Sequence, residues 1–70
     1  MPVRISYREK GIFSPLIRYN KCYNHVIKDN FETVEINYDR LIRGRLVRTN
    51  LVLVKQNILG YAIIEEKDIE

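Results

Sequence analysis

The fold turns on one stretch, Pro15-Leu16-Ile17-Arg18-Tyr19-Asn20-Lys21-Cys22-Tyr23-Asn24-His25-Val26-Ile27-Lys28. Ser14 ahead of Pro15 makes a good helix start, because serine can cap and proline at the first helical position forfeits no hydrogen bond. Leu16, Tyr19, Tyr23, Val26 and Ile27 then recur at helical spacing. Against a helix stand Asn20, Cys22, Asn24, His25 and the two tyrosines, all mediocre helix formers. Ile17, Tyr19, Tyr23 and Ile27 also line one side of a strand, interrupted by Lys21 and His25. The stretch supports helix and strand equally, and the choice separates an α+β domain from an all-β one.

The flanks are plainer. Upstream, Val3, Ile5 and Tyr7 alternate with Arg4, Ser6 and Arg8, the period-2 pattern of a half-buried strand. Glu9-Lys10-Gly11 is a turn. Downstream, Asp29-Asn30 is a turn pair, and residues 31–38 alternate again with Val34, Ile36 and Tyr38 inward. From Leu41 onward three strand-like runs are expected, 41–48, 51–55 and 58–65. Gly44 and Gly60 fall inside these runs, where glycine marks a bulge or a sharp bend. Leu51-Val52-Leu53-Val54 is apolar throughout and predicts a central strand covered on both faces.

The expected fold is therefore a mainly β domain of about five antiparallel strands, curled into a small SH3-like or OB-like barrel. The alternative is α+β, with one helix over about 15–28 packed on a four- or five-stranded antiparallel sheet. Residues 1–70 read as a single small domain, with an acidic tail at 66–70 expected to fray.

Seventy residues with 46% hydrophobic and 30% charged side chains fit one globular domain rather than a disordered chain. A domain of this size buries only about 60% of its unfolded surface, which leaves no room for a deep substrate cavity. It makes pairing with a protein partner or with itself attractive. Cys22 is the single cysteine, so no internal disulfide staples the core, and a reducing, cytoplasmic setting is expected. No apolar run near the start has signal-peptide character, and none approaches the ~20 residues of a membrane span.

The net charge of +3 hides a segregation. Residues 1–28 carry six basic and one acidic side chain. Asp29, Glu32, Glu35 and Asp39 follow with no base among them. Arg40, Arg43, Arg45, Arg48 and Lys55 then come with no acid. Residues 56–70 are acidic again. Neighbouring antiparallel strands of opposite charge would explain such blocks as cross-strand pairs. The other explanation is a binding surface, since arginine makes forked contacts with phosphate and stacks on bases. Arg43 and Arg45 share a strand side, and a bulge at Gly44 would bring Arg40 and Arg48 to join them. Tyr38 and Tyr61 would supply stacking faces if their strands pair nearby. The expected nucleic-acid-binding residues are Arg40, Arg43, Arg45, Arg48, Lys55 and Tyr61.

Catalytic patterns are lacking. Cys22 and His25 have a spacing that a helix would turn into two metal ligands, but a zinc site needs three or four. The glycines at 11, 44 and 60 make no phosphate loop. Glu32 and Glu35 point apart by strand parity, and so do Glu65 and Glu66. The sequence predicts a non-enzymatic protein without cofactor, metal, membrane or small-molecule substrate. DNA or RNA is its expected partner; the alternative is a small interaction subunit or inhibitor that docks by a sheet edge or apolar face, in a complex or a homo-oligomer.

Overall fold

The computed structural model describes residues 1–66. The expected tail beyond Glu66 lies outside the described residues. Five strands form one antiparallel sheet in the order β4-β3-β2-β1-β5. They are β1 (Val3–Glu9), β2 (Leu16–Asp29), β3 (Thr33–Ile42), β4 (Arg45–Val54) and β5 (Ile58–Glu65), with a 3-10 turn over Lys55–Asn57 between the last two. Each hydrogen-bonded neighbour pair is antiparallel. Among the described residues β4 and β5 do not pair with each other, so the sheet stays open.

The ambiguous stretch is strand along its whole length, and no α-helix exists among the described residues. The helical spacing of Leu16, Tyr19, Tyr23, Val26 and Ile27 loses because neighbours on both sides supply β2 with partners. Its first half pairs with β1 and its second half with β3. Two bulges mark the handover. The register slips by one residue between the Val3–Cys22 and Ile5–Tyr19 pairs, and again between Tyr23–Asp39 and Val26–Asn37. Lys21 and Asn24 take up these slips with φ of 56° and 52°, left-handed values that bend a strand. Each bulge reverses the parity of the side chains that follow. Ile17 and Tyr19 face inward, then Cys22 rather than Tyr23, and after the second bulge Ile27, which stands beside Ile36.

The core lies on this inner side. Val3, Ile5, Cys22, Val34, Ile36, Tyr38, Leu53 and Ile58 are buried, with Tyr7, Leu51 and Ile63 packed against them. The inward parities expected for β1 and β3 are therefore observed. Full burial of an aliphatic side chain contributes about 1.5–3 kcal/mol, so a core this small leaves a modest margin of stability.

Two expectations for the C-terminal half need correction. Gly44 is not a bulge within a run. Arg43 and Gly44, with φ of 50° and 79°, form the two-residue turn of a β3–β4 hairpin closed by the Ile42–Arg45 pair. Both positive values are the type I′ pattern that matches strand twist. The run at 41–48 is thus split between two strands, and Thr49-Asn50 lies inside β4. Second, Leu51–Val54 is not a central strand. β4 is at the sheet edge; Leu53 is buried, while Val52 and Val54 are 48% and 37% exposed. Gly60 does adjoin a bulge, because Arg8 pairs with Gly60 and Glu9 with Ile58, leaving Leu59 as the extra residue.

The 3-10 turn ties two loops together. Lys10 N donates to Asn57 O at 3.0 Å, and Lys55 N donates to Glu32 O at 2.9 Å. At the opposite end Glu66 N donates to Pro2 O at 2.9 Å, and the Glu66 carboxylate accepts from the Lys21 backbone N–H at 2.6 Å. No helix among the described residues is long and apolar enough to cross a membrane.

Candidate nucleic-acid interface

The register decides which of the expected site residues meet. On β3 and β4 the core-side positions are Val34, Ile36, Tyr38, Arg40 and Ile42, facing Leu53, Leu51, Thr49, Val47 and Arg45. Arg40 and Arg45 therefore share the inner side of the hairpin, beyond the last buried residue. Arg43 stands at the turn. Arg48 lies on the outer side, opposite Asp39, with its Nη1 3.1 Å from Asp39 Oδ1 and both Nη atoms donating to Asn24 O. The expected bulge at Gly44 would have joined Arg48 to the others; the turn formed there sends it to the opposite face. Lys55 sits at the far end of β4, with its Nζ 2.6 Å from Asp29 Oδ1. The expected set thus divides: Arg40, Arg43 and Arg45 gather at the hairpin end and make no ion pair among the described residues, whereas Arg48 and Lys55 are each engaged.

Tyr38 is buried and offers no ring face to a ligand. Burial pushes its hydroxyl pKa up, the nearby Cys22 and Tyr19 push it further, and Arg40 pulls it partly back. Arg40 is the next inner-side position after Tyr38 on β3, and Tyr19 occupies the inner side of the neighbouring β2. Tyr19 in turn stacks on Tyr7, with ring centroids 6.4 Å apart and planes 24° apart. Tyr7 pairs across the sheet with Tyr61. An inner-face row thus runs Arg40, Tyr19, Tyr7, Tyr61 over β3, β2, β1 and β5. Tyr19 and Tyr61 remain 36% and 38% exposed, so their rings are open to a planar ligand. Tyr7 is the more enclosed; burial first, and then Tyr19 and Glu9, raise its pKa.

Sequence reasoning linked Tyr61 to the arginines but missed Tyr19, because the bulge at Lys21 hides which side of β2 it occupies. It also missed the opposite side of β1. There Arg4, Ser6 and Arg8 point outward, and Arg18 stands directly across from Ser6. The Arg-Ser-Arg alternation was visible, but Arg18 joins it only through the β1–β2 register.

Among the described residues no three potential ligands from Cys, His, Asp and Glu come together as a metal site. Cys22 is fully buried, and its Sγ donates to Tyr19 O at 3.6 Å. No protein-family model, no curated protein and no solved structure matches this chain.

Proposed function

We propose that this protein is a non-enzymatic nucleic-acid-binding module that takes a single strand on its inner sheet face. Bases stack on Tyr19 and Tyr61, and Arg40, Arg43 and Arg45 meet the phosphates. The observation that supports this reading is that Arg40, Tyr19, Tyr7 and Tyr61 occupy the inner face of four successive strands, a cation and two half-open rings on one side of the sheet. Stacking of a base on an aromatic ring is worth about 1–3 kcal/mol and tolerates any sequence. In this reading the sheet is a part-rolled SH3-like barrel, with the bent β2 serving both halves and the 3-10 turn leading from one edge strand to the other. Arg48 and Lys55 then serve the fold, through Asp39 and Asp29.

Fluorescence anisotropy with a labelled dT15 and a labelled U15, at low and at moderate salt, tests the reading. Binding should weaken with salt at a log–log slope of about −0.7 per phosphate contacted. Tyr61→Ala and Arg40→Ala should each weaken it, and Lys55→Ala should not. Absence of binding at the lowest salt overturns the proposal.

One observation favours a second reading, docking to a protein. Phe13 and Phe31 are each 93% exposed and Ile12 is 89% exposed, on the two loops tied to the 3-10 turn. Large apolar side chains held in water at loop tips suit insertion into a partner's pocket. A pull-down in which wild type captures a discrete protein and Phe13→Ser/Phe31→Ser does not would favour this role.

A further inference from the structure

The outer face of β1 and β2 holds three arginines that the proposed function leaves without a task. Val3 and Ile5 are buried inward, so Arg4, Ser6 and Arg8 face outward. The register sets Arg18 opposite Ser6, diagonal to Arg4 on one side and to Arg8 on the other. Diagonal neighbours in an antiparallel pair lie about 7–8 Å apart, and four strand residues span about 13 Å. The three cations therefore alternate between the two strands along the sheet, with Arg4 standing at the bulge.

Like charges at such spacing repel, and among the described residues none of the three is paired with an acid. The pairs of β1 with β5 bring Gly60, Ala62 and Ile64 to the same side; beyond Ile64 the Glu66 carboxylate is taken by the Lys21 backbone N–H and forms no ion pair with Arg4. Among the described residues the side chains of Arg4, Arg8 and Arg18 make no hydrogen bond or ion pair there. The Nε of Arg4 is buried without an acceptor, an arrangement that native structures rarely leave uncompensated. Beside the arginines runs a shallow groove of about 500 Å³, lined by Ser6, Arg8, Leu16, Leu59, Gly60, Ala62 and the edge of Tyr61, whose ring belongs to the inner face. Its small residues leave open space; a Cβ built on Gly60 meets no atom within 4 Å.

We infer that this outer face is a second binding site, and that its ligand is a linear phosphate chain. Guanidinium forks suit phosphate oxygens. Their stepwise spread over the strand suits a repeating anion better than a single compact one, and the outward side chains beside them, Leu16, Ala62 and Ile64, are aliphatic, the Tyr61 ring standing with Tyr7 on the inner side. The site recognises backbone charge without reading sequence. Its existence is independent of the inner-face function; only the identity of the chain as a nucleic-acid strand rests on that reading.

Calorimetric titrations with inorganic tripolyphosphate and with dT15 test the site, using wild type, Arg8→Ala/Arg18→Ala, and the hairpin variant Arg43→Ala/Arg45→Ala. Arg8 and Arg18 are exposed, so the first variant keeps its fold, which circular dichroism verifies. Tripolyphosphate should bind wild type and the hairpin variant alike and bind Arg8→Ala/Arg18→Ala at least ten-fold more weakly. For dT15 the outer-face variant should also show a log–log salt slope shallower by about 1.4, the share of two single-strand phosphate contacts. Arg8→Lys/Arg18→Lys should recover part of the loss. If tripolyphosphate fails to bind wild type, or binds Arg8→Ala/Arg18→Ala equally well, the site is refuted. If tripolyphosphate binds through Arg8 and Arg18 while dT15 binds no variant, the site stands and the nucleic-acid function falls.

Discussion

Arg48 and Asp39 clamp the second bulge of β2. The guanidinium stands 3.1 Å from the carboxylate, donates to Asn24 O at 3.1 and 3.3 Å, and leaves the other Asp39 oxygen to accept from Asn24 Nδ2 at 2.9 Å. Three strands thus converge on one left-handed residue. An exposed ion pair alone is worth about 0.2–1 kcal/mol, but here it also satisfies a carbonyl at an irregular point. Arg48→Ala should lower the stability in urea by about 1 kcal/mol and leave oligonucleotide affinity near that of wild type.

The hairpin turn separates binding from stability. Arg43 holds a positive φ that a long side chain tolerates poorly and asparagine tolerates well. Arg43→Asn should raise the melting temperature slightly and weaken oligonucleotide binding. Gly44→Ala meets no neighbouring atom but keeps the unfavourable φ of 79°. It should cost about 1 kcal/mol without changing affinity when both proteins are fully folded.

Ile5 is wholly buried in the small core. Truncation to alanine at such a site costs about 2–5 kcal/mol and to valine about 0.5–1.5 kcal/mol. Ile5→Ala should therefore be largely unfolded at 37 °C by circular dichroism, while Ile5→Val should retain a cooperative transition at lower denaturant.

Stability should fall in alkali. Burial raises the pKa of Cys22 above 9.0 and of Tyr38 above 10.0. Above those ordinary values the unfolded chain loses protons that the native state still holds, so unfolding becomes easier as pH rises. Urea midpoints should be level across neutral pH and decline from about pH 9 upward. Tyr38→Phe should lessen the part of that decline above pH 10, to which Tyr7 also contributes. The Cys22 thiol should react with a disulfide reagent only in denaturant.

Gly60 offers a way to block the outer groove without disturbing the core. Valine suits a strand better than glycine, and the added side chain has open space. Gly60→Val should be at least as stable as wild type. It should bind tripolyphosphate more weakly, as titration will show.

Much of the fold was legible in the residues themselves. The strict alternations at Val3–Arg8 and at Val34–Tyr38 gave two strands with their correct inner sides, since period 2 survives wherever a strand is regular. What stayed hidden lay at the irregular points. Lys21 and Asn24 adopt left-handed backbone without being glycine, so nothing in their side chains announced a bulge. Arg43-Gly44 was obscured because an arginine occupies a position where turns favour asparagine or aspartate. The apolar run Leu51–Val54 suggested cover on both faces, but an edge strand can hold apolar residues that stay in water. For the site, charge clustering along the chain drew notice to residues 40–48, whereas the register grouped Tyr19 with Tyr61 and Arg18 with Arg4 and Arg8, across segments far apart in sequence.

The two bulges of β2 have a consequence for how this chain tolerates change in length. Each inserts one residue and inverts the pattern that follows, and together they cancel. Deleting Lys21 alone would leave Cys22 opposite Val3 and still inward, but would remove the bend at the point where β2 passes from β1 to β3. Deleting Lys21 and Asn24 together would make the alternation regular throughout and straighten the strand, leaving β1 and β3 on a flat ribbon with no hollow to enclose. Variation by insertion and deletion is therefore open to the loop at residues 10–15 and closed to the middle of β2, although asparagine, lysine and histidine make that middle look the more expendable.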